Sequence, residues 1–184
     1  MALAGHCESR PGRERGIAMQ EPQPSPDPAA KRTVLRMFTY GLYVIGVSDG
    51  SDANLFTANW LTQVSFEPPL LALSVENDTR SHRIIERSRR FAVSVLQAGR
   101  RELAGDLGRH STPDLPDKLG RTPHRIASNG CPVLEDALGY LTCEVESSTS
   151  AGDSTLYLAR VTEAVSLREG EALTMREAGF RHAG

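Results

Sequence analysis

Cysteine is scarce in this chain of 184 residues: Cys7, Cys131 and Cys143 make an odd three, none at the spacing of a metal knuckle. That excludes a disulfide framework and a cysteine-based zinc site, and points to a reducing compartment. An excess of one charge is also lacking. The 21 basic and 23 acidic residues leave a net charge of −2, which provides no electrostatic footprint for nucleic acid or an anionic membrane. No apolar run approaches the roughly 18 residues that span a bilayer, and residues 1–15 hold no apolar stretch of a secretory signal. The expected setting is the cytoplasm, with neither membrane nor nucleic acid as partner. The five histidines (His6, His82, His110, His124 and His182) lack the spacing of a metal-binding pair, so no metal site is expected. A Rossmann glycine fingerprint and a P-loop are both absent, so a phosphate-bearing ligand must be held by other means.

What is present divides the chain in two. Residues 1–30 contain Pro11, Pro22, Pro24, Pro26 and Pro28 and seven charges, with no aromatic side chain. Such a stretch cannot bury enough apolar surface to offset its ordering entropy, and alternating prolines favour an extended conformation. It reads as a disordered N-terminal extension, and Met19 offers an alternative start ahead of the proline run. Residues 31–184 are long enough for one domain with an independent core.

Within that domain the strand signal dominates. Residues 41–47, 54–66, 70–75 and 91–96 are short apolar or β-branched runs, bounded by Asp49-Gly50 and Pro68-Pro69. Leu141, Cys143 and Val145 alternate with Thr142, Glu144 and Glu146, the period-two pattern of a strand with one wet face. A turn over residues 150–153 leads into a further strand over 156–165, and Glu169-Gly170 marks another reversal. Thr79 can cap a helix over 80–87 with Ile84 and Ile85 inward, and residues 101–107 suit a second helix. The expected fold class is mainly β with short helices, a barrel or sandwich.

Gly46-Val-Ser48-Asp-Gly50 matches the G-x-S-x-G pattern of a hydrolase elbow, but that elbow demands a helix directly after the serine. Asp49-Gly50-Ser51-Asp52 is hairpin chemistry instead. The informative stretch is residues 54–69, which sets Asn54, Thr57, Asn59, Thr62, Gln63 and Ser65 among apolar neighbours, with small Ala58 and aromatic Trp60. Two readings stay open on the residues alone: a platform for a planar ring with polar edges, or a polar edge strand beside one core tryptophan.

Seven segments occur in an ordered series: residues 40–44, 54–69, Glu76-Asn-Asp-Thr79, 91–96, Asp117-Lys-Leu-Gly120, Gly130-Cys-Pro-Val-Leu-Glu-Asp136 and Ala151-Gly-Asp153. In that order the chain resembles the flavin reductase-like family of FMN-binding split barrels, and in particular its flavoredoxin-like branch, over residues 33–184. The resemblance implies a Greek-key split β-barrel, a homodimer, FMN bound near the subunit interface, and hydride transfer from NADH or NADPH to flavin. It further implies reduced flavin passed to a monooxygenase. A flavoredoxin-like electron carrier serving a redox protein, or a non-catalytic flavin-binding protein, are the alternatives.

By the same resemblance Asn54 and Trp60 contact the isoalloxazine ring, while Thr57, Ala58, Asn59, Gln63, Val64 and Ser65 face the flavin and its ribityl chain. Ser81 and His82 fall near the phosphate at a helix start, a natural anion site. Lys118 stands where the family has a lysine reaching the flavin, and an ammonium there favours the anionic reduced form. No side chain is assigned as acid, base or nucleophile, since the cofactor carries the chemistry. Three features depart from the pattern the resemblance implies: Ser154 where many relatives have a histidine on the nicotinamide side, Ser94 in place of asparagine, and the pair Arg89-Arg90 in place of a small turn. The first bears on the rate of nicotinamide oxidation. Cys131 and Cys143 read as packing residues.

Overall fold

The structure is a computed structural model that describes residues 25–109 and 117–181. It begins with helix α1 (Pro28–Leu35), then strands β1 (Tyr43–Ser48), β2 (Ala53–Ala58), β3 (Leu61–Ser65) and β4 (Leu70–Glu76). Helix α2 (Arg80–Ser88), strand β5 (Arg90–Val95) and helix α3 (Arg101–Gly108) follow. A short ribbon, β6 (His124–Ile126) with β7 (Pro132–Leu134), precedes the long hairpin β8 (Gly139–Ala151) and β9 (Ser154–Ser166), and α4 (Met175–Ala178) comes last. Among the described residues no helix is long and apolar enough to cross a membrane.

Seven strands form one antiparallel sheet in the order β2-β1-β5-β8-β9-β4-β3. The outermost strands, β2 and β3, are neighbours in sequence, joined only by Asn59 and Trp60. In a flat sheet, six strand spacings would hold them about 29 Å apart, whereas three residue steps reach at most about 11 Å. The sheet therefore curls until its edges approach. The expected mainly β fold with short helices is observed, but β2 and β3 do not pair, so the sheet is curled rather than closed into a barrel.

The apolar run of β1 explains its central place. Ile45 and Val47 point into a cluster with Leu73, Phe91 and Tyr157, while Val44 joins a second cluster with Leu55, Leu107 and Leu173 beneath α3 and α4. A strand buried on both faces carries no alternation, which is why residues 43–47 read as continuously apolar. Cys131 and Cys143 are fully buried, and burial pushes their thiols up to about 11 and about 12, as suits packing residues. Ser48 ends β1 and Asp49 N–H donates to the Asp52 carbonyl at 3.0 Å, so the G-x-S-x-G match is a hairpin turn.

One local expectation is corrected. Thr142 does not face water: it is fully buried, its Oγ1 2.8 Å from Thr162 Oγ1. Its cross-strand partner Ala92 belongs to a third cluster with Cys131, Val133 and Tyr140, which covers that face, and the wet face begins only at Glu144. Residues 28–30, placed in the N-terminal extension by the sequence reading, lie in the first turn of α1. Pro28 opens α1, and the Asp27 carboxylate accepts from Ala29 N at 3.3 Å and Ala30 N at 3.0 Å. Proline fits a first helical turn because the missing N–H has no partner there anyway. Residues 1–24 lie outside the described residues.

Candidate functional site

Strand β2 pairs with β1 alone, and two helices pack beside it. Near its start, the buried Asn54 donates from Nδ2 to Ser81 Oγ at 2.9 Å, tying β2 to the first turn of α2. Thr79 caps that helix: its Oγ1 accepts from His82 N–H at 3.2 Å and donates to the Glu76 carbonyl at 2.8 Å. Near the other end of β2, Thr57 Oγ1 donates to the Ala104 carbonyl of α3 at 2.6 Å. Gly108 faces Thr57 closely enough that a Cβ there would lie 3.7 Å from it. Between the α2 N-terminus, the α3 C-terminus and the end of α4 lies a cleft of about 900 Å³.

Lys118 lines the cleft although it is only 7% exposed. Its Nζ donates to the Leu107 carbonyl at 2.8 Å, one bond for three donors. Burial lowers its pKa, with no carboxylate among the described residues to offset the effect. Asn59 contributes a second uncompensated group, because its buried Nδ2 has no hydrogen-bond partner among the described residues. Leaving such a donor unmade costs about 1–3 kcal/mol. Both groups call for a polar, electron-rich occupant.

The wider electrostatics agree. Arg80, Arg83, Arg109, Lys118 and Arg181 line the cleft, against two acids, Glu76 and Asp78. Arg80 is engaged by Asp52, with Nε 3.1 Å from Oδ1 and Nη2 closer still. Arg87 Nε lies 2.7 Å from Asp49 Oδ2 and holds that carboxyl well below the usual range. These pairs brace the β1–β2 turn against α2 and leave Arg83, whose Nη1 donates at 3.3 Å to the Asp78 carbonyl, at the helix start.

Of the residues singled out by the sequence, the cleft gathers Asn54, Thr57, Ala58, Asn59, Trp60, Ser81 and Lys118. It does not gather Gln63, Val64, Ser65, His82 or Ser154. The chain turns a corner at Asn59-Trp60, where the Trp60 carbonyl accepts from Ser74 N–H at 3.0 Å, so β3 runs along the opposite edge of the sheet. There Gln63 is exposed and bonds Ser65 O at 3.1 Å, while exposed Val64 borders a separate shallow groove with Ala72 and Leu158. His82 turns to Thr155 Oγ1 at 3.0 Å, and the buried Ser154 donates to Asp153 Oδ1 at 3.0 Å. The sequence reading missed Gly105, Gly108, Arg109 and Arg181, which lines the cleft with Phe180 beyond the α4 end. One signal was available: Thr174-Met-Arg-Glu177 followed by Gly179 is a capping box with a glycine stop.

Comparison with known proteins agrees with this architecture. Residues 35–184 match the family described as flavin reductase like domain. The chain is 29% identical over 137 residues to a probable flavin reductase of Rhizobium meliloti, an alignment covering 74% of this chain and 43% of that protein. It therefore spans less than half the length of that relative. An NADH-dependent FAD reductase of Streptomyces globisporus is 31% identical over 151 residues, 82% of each chain. The solved structure of Streptomyces globisporus C-1027 NADH:FAD oxidoreductase SgcE6 superposes with a TM-score of 0.75 at 29% identity, covering 89% of this chain and 99% of that one. The chain belongs to the flavin reductase like family.

Proposed function

We propose that the cleft binds FMN and that the protein is a cytoplasmic, homodimeric NAD(P)H:flavin oxidoreductase that supplies reduced flavin to a monooxygenase. The observation that carries this reading is the presence, in one cleft, of a buried ammonium (Lys118) and a buried amide (Asn59) that have, among the described residues, no carboxylate and no hydrogen-bond partner respectively. A volume of about 900 Å³ lies within the range of small-molecule sites, roughly 300–1,000 Å³. The edge of β2 with Trp60 suits a planar ring, and the α2 start with Ser81 and Arg83 suits one phosphate. When bound, FMN supplies the hydride-accepting chemistry between nicotinamide and flavin. Lys118 favours negative charge on whatever lies beside it, in a setting where burial strengthens the interaction. Asn54 and Thr57 brace α2 and α3 at fixed places on β2, so the site is held by rigid elements. The relatives named for NADH favour it as the nicotinamide donor.

Quenching of flavin fluorescence on titration with the purified protein tests binding, with one FMN per subunit expected. Steady-state NADH oxidation with added FMN tests the activity. No quenching would overturn the reading, and quenching without NADH oxidation would overturn the reductase assignment. A second reading has one observation in its favour: no histidine is among the described residues that line the cleft. Reduction of bound FMN by a protein donor, without NADH oxidation, would identify an electron carrier instead.

A further inference from the structure

We infer that Asp52 determines how strongly the cleft discriminates a phosphorylated flavin from an unphosphorylated one, because its carboxylate withholds the Arg80 guanidinium at the start of α2. The inference rests on the flavin reading and adds to it the residue that sets the grip on the phosphate. Arg80 is the first residue of α2 and lines the cleft, whereas Asp52 is not among the described residues that line it. The guanidinium is nonetheless committed to Asp52. Nε lies 3.1 Å from Oδ1 and 3.3 Å from Oδ2, and Nη2 lies closer still to Oδ1. A guanidinium that grips a carboxylate in this way spends the same N–H groups that would clasp a phosphate.

Local structure holds Asp52 in place without help from Arg80. In the β1–β2 turn the Asp49 carboxylate accepts from Ser51 N–H at 2.9 Å and from Asp52 N–H at 2.7 Å, and Asp49 N–H donates to the Asp52 carbonyl at 3.0 Å. Arg87, further along α2, reaches the same turn, with Nε 2.7 Å from Asp49 Oδ2 and Nη2 3.8 Å from Asp52 Oδ2. Asp52 and Asn54 thus hold consecutive residues of α2, Arg80 and Ser81. The charge pattern gives this contact its meaning. α2 begins with Arg80 and Arg83 and has no acid in its first turn. Cations at a helix N-terminus oppose the dipole, so each calls for an anion. Asp52 supplies one to Arg80, while Arg83 has no carboxylate partner among the described residues. A phosphate at this pole therefore meets one guanidinium outright and competes with Asp52 for the other. The side chains of Arg80 and Asp52 are 42% and 29% exposed, so screening keeps the strength of this contact modest.

The test is flavin fluorescence quenching on the full chain, titrated with FMN and with riboflavin, which lacks the phosphate. Asp52→Ala is expected to tighten FMN about three- to tenfold, the scale of one part-exposed charge-assisted contact, and to leave riboflavin within about twofold. Asp52→Asn, which keeps the side-chain volume in the turn, is expected to give a smaller gain, since its amide oxygen still accepts from Arg80. Arg80→Ala alone is expected to leave FMN within about twofold, because that guanidinium is already engaged, and to abolish the gain when combined with Asp52→Ala. A gain shared by riboflavin, no gain in either Asp52 variant, or a gain that survives the loss of Arg80 overturns the inference. So do equal and opposite changes from Asp52→Ala and Arg80→Ala, the mark of additive long-range charge. A wild type that quenches neither flavin overturns the flavin reading itself, which the riboflavin titration reports without the phosphate.

Discussion

Strands β2 and β3 are the two edges of one sheet, consecutive in sequence and similar in composition, yet they meet opposite fates. β2 carries Asn54 and Thr57 between apolar residues; β3 carries Thr62, Gln63 and Ser65. On β2 each polar side chain meets a helix: Asn54 bonds Ser81 of α2 and Thr57 bonds Ala104 of α3. On β3 the polar groups bond within the strand or face solvent, as Gln63 does with Ser65. A polar residue in a strand thus becomes part of a site only where another element comes close enough to use it. The difference arises at the Asn59-Trp60 corner, where the chain leaves the helical side of the sheet for its bare one.

The sharpest way to break the comparison is through packing. Leu55→Ala on β2 removes a side chain with no exposure from the cluster beneath α3, and should cost about 2–5 kcal/mol of unfolding free energy. Val64→Ala on β3, where the side chain is half exposed, should stay within about 0.5 kcal/mol. Urea denaturation of both variants checks this. Equal losses would mean that β3 is covered in solution.

A smaller effect separates the polar residues. Asn54→Ala leaves buried Ser81 without its donor, and should cost about 1–3 kcal/mol and weaken FMN binding measurably. Gln63→Ala should leave both unchanged. Fluorescence titration and denaturation of the pair decide it, and a large loss of FMN affinity with Gln63→Ala would return β3 to the site.

The smallest expected effect concerns Lys118, which lies in the loop between α3 and β6 rather than on either strand. Lys118→Met should lower the reduction potential of bound FMN by the equivalent of about 1 kcal/mol, through loss of a cation beside the anionic reduced form. A pH dependence accompanies it. Burial sets the Lys118 pKa below its ordinary 10.5, so between the folded and unfolded values the unfolded chain binds the extra proton and stability rises with pH. Urea midpoints at pH 7 and pH 10 should show this contribution in wild type and not in Lys118→Met. An identical pH response in both proteins would show that the ammonium is solvated.

Much of this was legible in the residues. Period-two and continuous apolar runs located β1, β4 and β5, because strand burial is written directly into side-chain alternation. Thr79 announced α2 because a cap is a local hydrogen bond that needs no tertiary partner. The three-residue strands β6 and β7 left no such trace. Thr142 misled because a covered outer face depends on Cys131, Val133 and Tyr140 arriving from elsewhere in the chain. Gln63 and Ser154 lie outside the cleft for a related reason. The family pattern supplied their positions along the chain, but the direction of each side chain follows from the corner and from the β8–β9 register.

The sequence by itself determined the strand-rich domain, the caps, the hairpin turns and the polar segment 54–60, all of which depend on neighbours within a few residues. The tertiary structure decided which of those polar groups converge. Only the curl of the sheet brings α2, α3 and α4 around β2 and sets the buried Lys118 and Asn59 in one cleft. It also turns Phe180 and Arg181 toward the rim. Convergence is a property of contacts between residues far apart in the chain, and those are set by the curl of the sheet rather than by local preference.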